Sequence, residues 1–312
     1  MNTADLTNPI FQDADKAREY LEATRWPNGP VCPHCGSVDE QVTKMEGNAH
    51  RPGLYNCKGC RKQFSVTVGT VYERSHIPLN KWLLATHLMC AGKKGVSAHQ
   101  LHRMLGITYK SAWFMAHRIR EAMKDTGTEP MGGIGKTVEA DETYIGRKHG
   151  VKKGKGGGHH KNAVVSLVER GGKVRSFHVD QVTAAELARV ARKNVDIAST
   201  LNTDESPVYR DLGRRFVAHD VINHSKDEYA LGDNTTNTVE GFFSIFKRGM
   251  KGVYQHCSEE HLHRYLAEFD FRYSNRAKLG VTDRERADKV LKGIEGKRLT
   301  YRRISEWARS TS

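Results

Sequence analysis

Thr236-Asn237-Thr238-Val239-Glu240-Gly241-Phe242-Phe243-Ser244-Ile245-Phe246-Lys247-Arg248-Gly249-Met250-Lys251 is the stretch on which the reading of this chain turns. Val239, Phe242, Phe243 and Phe246 recur at three- and four-residue spacing, which predicts a helix with one apolar face. Asn237 and Glu240 stand one above the other on a second face, and Lys247 continues that line two turns after Glu240. An ordinary amphipathic surface helix would carry such a stripe as solvated polarity. A reactive site would carry it as ligands and a phosphate contact. The acidic residues upstream bear on the choice.

Upstream, the periodicity is that of strands. Val138-Glu139-Ala140-Asp141-Glu142-Thr143-Tyr144-Ile145-Gly146 predicts a strand with Val138, Ala140 and Glu142 on one face. Glu139, Asp141, Thr143 and Ile145 take the other. Residues 163–169 and 173–179 predict two more strands around a Gly171-Gly172 turn. Thr183 caps a helix over 184–194. A fourth strand over 197–203 delivers Asp204 at its end, and 215–219 forms a short fifth. Three antiparallel strands, a helix, a parallel strand, another strand and a helix is the order of a ribonuclease H-like α/β domain.

That order brings three distant acids toward one another. Asp141 falls mid-strand, Asp204 at the tip of a neighbouring strand, and Glu240 on the helix that leans over both, with 62 and 35 residues between them. Convergent carboxylates repel and need cations to stay ionised. Mg²⁺ or Mn²⁺ meets that need, and two ions about 3.5–4 Å apart suit in-line displacement at phosphorus. Glu142 and Glu205 adjoin the two aspartates but point to opposite faces of regular strands. Asp180 ends the third strand, too far along the sheet edge. His219, Asp220 and His224 precede the last helix, where His224 could line the site or serve as a loop residue.

The formal charge of +14 and pI of about 9.5 favour a polyanionic partner, with nucleic acid first among them. No apolar run approaches membrane-spanning length, and no secretory leader is visible at Met1-Asn2-Thr3-Ala4-Asp5-Leu6. Cys32-x-x-Cys35 and Cys57-x-x-Cys60, separated by 21 residues, have the spacing of a structural four-thiolate zinc site, with short strands expected between them and over 63–68. His34 could replace a cysteine, which four cysteines make unnecessary. Cys90 and Cys257 stand apart and read as packing residues. Paired zinc cysteines without a disulfide framework fit a reducing cytoplasm.

Ahead of the ribbon, Phe11–Thr24 reads as a short amphipathic helix that the segment Trp26-Pro27-Asn28-Gly29-Pro30 breaks. After it, Asn80 caps a first helix, Ser97 a second over 98–105, Gly106 makes the turn, and Thr108 caps a third whose Ala112, Met115, Ala116, Ile119 and Met123 share a face. This is helix-turn-helix spacing, and residues 81–124 hold eight lysines and arginines against one acid, Glu121. Tyr109 and Lys110 would lead the third helix into the major groove, with Trp113 and His117 behind them. A helical hairpin with a solvated basic face gives the same pattern. Residues 127–136 read as a glycine linker. Gly146–Lys161 holds six glycines, six lysines or arginines, three histidines and no acid. Its Arg147, Lys148, Lys152 and Lys153 could clamp a phosphate backbone or merely solubilise a loop. Arg248 and Lys251 extend the basic side of the last helix.

The fold class expected is therefore multidomain α+β. It comprises an N-terminal helix (1–25), a zinc ribbon (26–77), a helix-turn-helix (78–126), a ribonuclease H-like catalytic domain (136–280) and a basic tail (281–312). The paired knuckles with Phe64-Ser65-Val66-Thr67-Val68-Gly69-Thr70-Val71, the Asp141 strand, Asn202-Thr203-Asp204-Glu205, the Glu240 helix and Phe271-Arg272-Tyr273-Ser274-Asn275-Arg276 together resemble a bacterial insertion-sequence DDE transposase. The branch is the ISXO-like group with an N-terminal zinc ribbon, and the likeness spans roughly residues 15 to 277. The resemblance implies metal-dependent cutting at element ends and joining of the freed 3′-hydroxyl to target DNA. It implies Asp141, Asp204 and Glu240 as ligands of Mg²⁺ or Mn²⁺, and family positions for Asn237 and for Lys247, which would contact a phosphate. Some relatives use an amide or histidine as the third ligand, so Asn237 competes with Glu240. Terminal inverted repeats and target DNA would be the partners of a homodimer or higher assembly in the bacterial cytoplasm, at the nucleoid. The competing readings are a domesticated DNA-binding regulator and an endonuclease without strand transfer.

Overall fold

The computed structural model describes residues 6–152, 158–222 and 236–300, with Arg210 and Asp211 described by backbone alone. The described chain divides into two compact units. The first takes the residues up to Gly92, Val96–Met123 and those from Thr282 onward; the second takes Lys93–Gly95 and Lys124–Val281. No helix among the described residues is long and apolar enough to cross a membrane.

The first unit opens with a 3₁₀ turn, Pro9–Phe11, and helix α1, Ala14–Arg25. The expected single helix is split because the Asp13 carboxylate takes the amides of Asp15 and Lys16 and restarts the chain as an N-cap. Strands β1 (Val42–Lys44), β2 (Tyr55–Cys57) and β3 (Gln63–Phe64) form a small antiparallel sheet. The strand expected over 63–68 ends at Phe64: the carbonyls of Val66 and Val68 are held by the Arg25 guanidinium at 2.7 and 2.9 Å. Trp26 meets Tyr55 and Phe64 edge-on, with ring centroids 5.4 and 5.8 Å apart.

The sulfurs of Cys32, Cys35, Cys57 and Cys60 all lie within 4.8 Å of one another. Cys32–Cys60 is 3.7 Å and Cys35–Cys57 is 3.6 Å. A tetrahedron of sulfurs about 2.3 Å from zinc has edges of about 3.8 Å, so the cluster fits a closed structural zinc site. His34 is exposed and outside the cluster. Gly36, with φ of 76°, supplies the left-handed residue of the first knuckle, whereas in the second that role falls to Arg61 (φ 58°). Gly59 serves by size: a Cβ there would sit 2.8 Å from the Ser37 hydroxyl.

Helices α2 (Leu79–Ala91), α3 (Ala98–Leu105) and α4 (Tyr109–Met123) follow. Ser97 caps α3 through the Gln100 amide, and Gly106 ends it in the left-handed conformation (φ 59°). Thr108 accepts from the Ser111 amide at 3.2 Å. Asn80 is not the cap of α2. It lies inside that helix, whose N-cap is Pro78, and its side chain donates to the carbonyls of Phe11 and Gln12. The described part of the expected basic amphipathic tail is helical and packed. Residues Asp283–Lys292 form a helix, numbered α9 below, that opens with a Thr282–Glu285 capping box and buries Ala287, Val290 and Leu291 against α1, α2 and α4. Residues 301–312 lie outside the described chain.

The second unit is built on a mixed sheet of β4 (Thr137–Ile145), β5 (Asn162–Glu169), β6 (Val174–Val179), β7 (Thr200–Asp204) and β8 (Ala218–Ile222), in the order β6-β5-β4-β7-β8. β4, β5 and β6 run antiparallel; β7 runs parallel to β4, and β8 parallel to β7. The fourth strand begins at Thr200 rather than Ile197 because Asp196 turns the chain through the Ala198 amide. The fifth lies three residues beyond the span expected at 215–219, since Phe216 is drawn into the core. The expected linker is partly seated: Met131 is buried, bridges to Val195, and donates to the Asn194 carbonyl at 2.7 Å.

Both faces of the sheet are covered. On one, Val138, Ala140, Val165, Leu167 and Leu201 pack with Leu187, Val190 and Ala191 of helix α5 (Ala184–Asn194), capped by Thr183 as its sequence predicts. A one-turn helix α6 (Arg210–Gly213) lies between β7 and β8 in sequence. On the other face, Ile145, Val164, Val168 and Val174 pack with Val239, Phe242, Phe243 and Phe246 of α7 (Asn237–Gly249), and with Leu266 and Phe269 of α8 (Leu262–Ser274). α7 passes directly into a π-helical turn, Met250–Tyr254. The aromatic periodicity of its sequence is thus a core stripe.

Structural zinc contributes on the order of 10 kcal/mol in small zinc folds. Cys57→Ser is therefore expected to lose the chain's thiolate-bound zinc and melt β1–β3, read by atomic absorption and by a red shift of Trp26 emission. In α8, the half-buried Asp270 carboxyl accepts from the Ser176 amide (2.7 Å) and hydroxyl (2.6 Å), yet desolvation raises it to about 7. The folded state then holds a proton that the unfolded chain releases near pH 4, so stability falls as pH rises through 4 to 7. Asp270→Asn is expected to gain stability relative to wild type between pH 5 and pH 8, by on the order of 1–4 kcal/mol, in paired thermal or urea melts.

Candidate active site

The acids on β4 and β7 are aligned by register. The last residues paired between these parallel strands are Glu139 and Asn202. Two residues further along each strand, on the same face, come Asp141 and Asp204. That face carries α7, because the Glu139 carboxylate on it accepts the Thr238 and Val239 amides, each at 2.9 Å. Glu240 is the next residue of α7, and the Thr236 hydroxyl donates to its Oε1 at 3.1 Å.

Asp141 registers this crowding. Its carboxyl is raised to about 7, first by burial and then by the charges of Glu142, Asp204 and Glu240; the Glu142 amide, 2.7 Å from Oδ1, opposes the rise. Asp204 is tied by its Oδ1 to the Ser206 amide at the strand exit. Among the described residues, only the four cysteines form a group of three or more whose ligand atoms all lie within 4.8 Å of one another. The three carboxylates are within electrostatic reach without closing to one coordination sphere. Oxygen donors under mutual charge stress are the chemistry that hard divalent cations relieve.

Glu142 lies on the opposite face of β4, as strand alternation requires. Its Oε2 accepts from the Tyr209 hydroxyl at 2.6 Å. Burial and the Asp204 charge still raise the Glu142 carboxyl, and Tyr209 partly offsets this. The Tyr209 hydroxyl is itself pushed well up by burial and by the charges of Glu142, Asp141 and Asp204. Tyr209 went unmarked in the sequence, where it is one tyrosine after a Ser206-Pro207 turn. Alternation places Glu139 on the Asp141 face; the structure adds that this glutamate is fully buried.

Among the described residues, Asp180 and His219 have partners of their own elsewhere. Asp180 follows the edge strand β6, and its carbonyl accepts from Lys148 Nζ. His219 Nε2 lies 2.9 Å from the Thr203 hydroxyl, an ordinary link between β7 and β8. His224 lies outside the described residues, as does Lys153. Asn237 is exposed at the first position of α7. Lys247, two turns beyond Glu240, holds its Nζ 5.8 Å from the centre of the Phe243 ring.

Arg147, Lys152, Arg248 and Lys251 are exposed in the second unit, with Arg147 and Arg248 each donating to a local backbone carbonyl. In the first unit, Tyr109 and Lys110 are exposed at the start of α4, and Tyr109 stacks on His99 at 4.3 Å. His117 is not at the leading surface. It is completely buried beside Trp113, because it falls within the inward arc of α4 that includes Ala116.

Comparison with known proteins agrees with both units. Residues 132–274 match the ISXO2-like transposase domain, and residues 12–63 match the transposase zinc-ribbon domain. The chain is 28% identical over 280 residues to an uncharacterized protein in the transposable element ISH50 of Halobacterium salinarum, a match covering 84% of this chain and 91% of that protein. With four clustered zinc-type thiolates ahead of a mixed sheet, the chain carries a transposase zinc-ribbon domain followed by an ISXO2-like DDE transposase domain.

Proposed function

We propose that this protein is a DNA transposase that cuts the ends of its element and joins the freed 3′-hydroxyl to target DNA. The observation that carries this reading is the β4–β7 register, which sets Asp141 and Asp204 at matched positions on the one sheet face to which the start of α7, with Glu240, is fastened. The sheet order and the helices on both its faces support a ribonuclease H-like domain.

Asp141, Asp204 and Glu240 would hold two divalent cations, Mg²⁺ or Mn²⁺. Such a pair supplies charge neutralisation at the attacking and leaving oxygens of an in-line phosphoryl transfer. The protein's own part is positional. β4 and β7 fix two carboxylates on a rigid sheet, and α7 brings the third. Asn237 stands three residues before Glu240 on the same side of α7 and would orient the scissile nucleotide. Lys247 would meet a phosphate as a compact point charge. Arg248 and Lys251 continue that side of the helix, and Arg147, Lys148 and Lys152 offer further phosphate contacts.

The first unit would read the element ends. Its α3–Gly106–α4 arrangement supports a helix-turn-helix, with Tyr109 and Lys110 exposed where a groove would be entered. Two ends must be held together for joining, so the working assembly would be at least a homodimer.

Incubation with Mg²⁺ and supercoiled DNA bearing the element's terminal repeats tests this. Nicked ends and joined products are expected. Asp141→Asn, Asp204→Asn and Glu240→Gln should each reduce both by about 10³-fold or more while leaving DNA affinity unchanged. Binding without cleavage by the wild-type protein would leave a regulator, and cleavage without joining an endonuclease. Lys110→Ala should weaken end binding and reduce the salt slope by about one phosphate contact, measured by filter binding across a salt series.

A further inference from the structure

Glu139 is the most deeply buried acid near the cluster and has no part in the reading above. It is fully buried, at the third residue of β4. One carboxylate oxygen, Oε2, accepts both the Thr238 and the Val239 amide at 2.9 Å. The other, Oε1, accepts from Arg170 Nε at 2.7 Å in an ion pair. Arg170 follows the last residue of β5, and its own amide donates to the Thr137 carbonyl at 3.0 Å.

Those two amides belong to the first turn of α7, where helix N–H groups lack intrahelical partners. Helices usually satisfy them from the residue just before the helix. Here Thr236 occupies the N-cap position but makes no side-chain capping bond; its hydroxyl donates to Glu240 instead. The cap comes from a strand about a hundred residues earlier. A charged acceptor against the positive end of a helix, out of water, is a strong and directional contact. It holds the start of α7 to the point on β4 two residues before Asp141, and Glu240 is the residue that follows the second captured amide.

We propose that Glu139, anchored by Arg170, is a positioning residue that sets the separation of Glu240 from Asp141 and so the spacing of the cation pair. The inference rests on the two-cation reading of Asp141, Asp204 and Glu240. Glu139 itself touches neither cation nor DNA. Shortening its side chain by one methylene must either draw α7 toward β4 or break the cap; both outcomes displace Glu240. An amide in its place keeps an oxygen for the two N–H groups but loses the ion pair.

The test is Mn²⁺ binding, followed by electron paramagnetic resonance of the free ion, alongside the Mg²⁺ concentration for half-maximal end cleavage. Glu139→Asp is expected to weaken Mn²⁺ binding about 10-fold and raise the Mg²⁺ requirement to match. Glu139→Gln should shift both about 3-fold. Zinc content and DNA affinity should stay at wild-type values. Wild-type Mn²⁺ affinity in a folded Glu139→Asp protein, with Asp141→Asn inactive, overturns the inference and leaves the two-cation reading intact. Full cleavage by Asp141→Asn overturns both. Should Glu139→Asp not fold, Arg170→Met carries the test: about 3-fold weaker Mn²⁺ binding is expected, and unchanged binding overturns the proposal.

Discussion

The parallel pairing of β4 with β7 is the constraint on which the second unit depends. Its register, Thr137 with Thr200 through Glu139 with Asn202, carries Asp141 and Asp204 forward at matched positions on one face. A slip of one residue would turn Asp204 to the opposite face, because side chains alternate along a strand. What holds the register is burial on both sides. Val138 and Leu201 pack into one core, while Glu139 and Asn202 are completely buried on the opposite face. Neither strand can shift without exposing one set or burying charge without partners.

Given that register, the acidic cluster is a store of electrostatic stress that the apolar core sustains. Burial and the Asp204 charge raise the carboxyls of Asp141 and Glu142, and Tyr209 bonds Glu142 from the α5 side. Such an arrangement does nothing for the stability of the sheet. It persists because Phe242, Phe243 and Phe246 on one side and Leu187 and Val190 on the other bury enough apolar surface to outweigh it. Sites tuned for charge chemistry are commonly seated in this way, with stress in the polar residues and support from the packing around them.

The first unit solves a different problem. Strands of three, three and two residues cannot hold a sheet by their own hydrogen bonds. The four thiolates bring the two knuckles together, and the Trp26, Tyr55 and Phe64 rings pack on one another. Arg25 links α1 to the segment after β3 through two carbonyls. α9, drawn from the far end of the described chain, completes the helical part with buried Ala287, Val290 and Leu291 and with a bond from Arg286 to the Cys90 carbonyl.

The sequence by itself determined whatever depends on neighbours within a few residues. The cysteine knuckles, the Ser97 and Thr183 caps, the Gly106 turn, the alternation of β4 and the apolar stripe of α7 all obey local geometry, and all are observed. The Asp141, Asp204 and Glu240 candidates followed from element order. Tertiary structure decided the rest, because the deciding partner was remote in the chain. Glu139 could be placed on a face from alternation, but only the α7 amides reveal what that carboxylate holds. Asn80 looked like a cap until Phe11 and Gln12 offered it carbonyls, and Met131 looked like linker until Val195 gave it a strand to pair with. His117 looked like a groove residue because helical spacing cannot tell how wide the buried arc of a helix will be. That width is set by what packs against it.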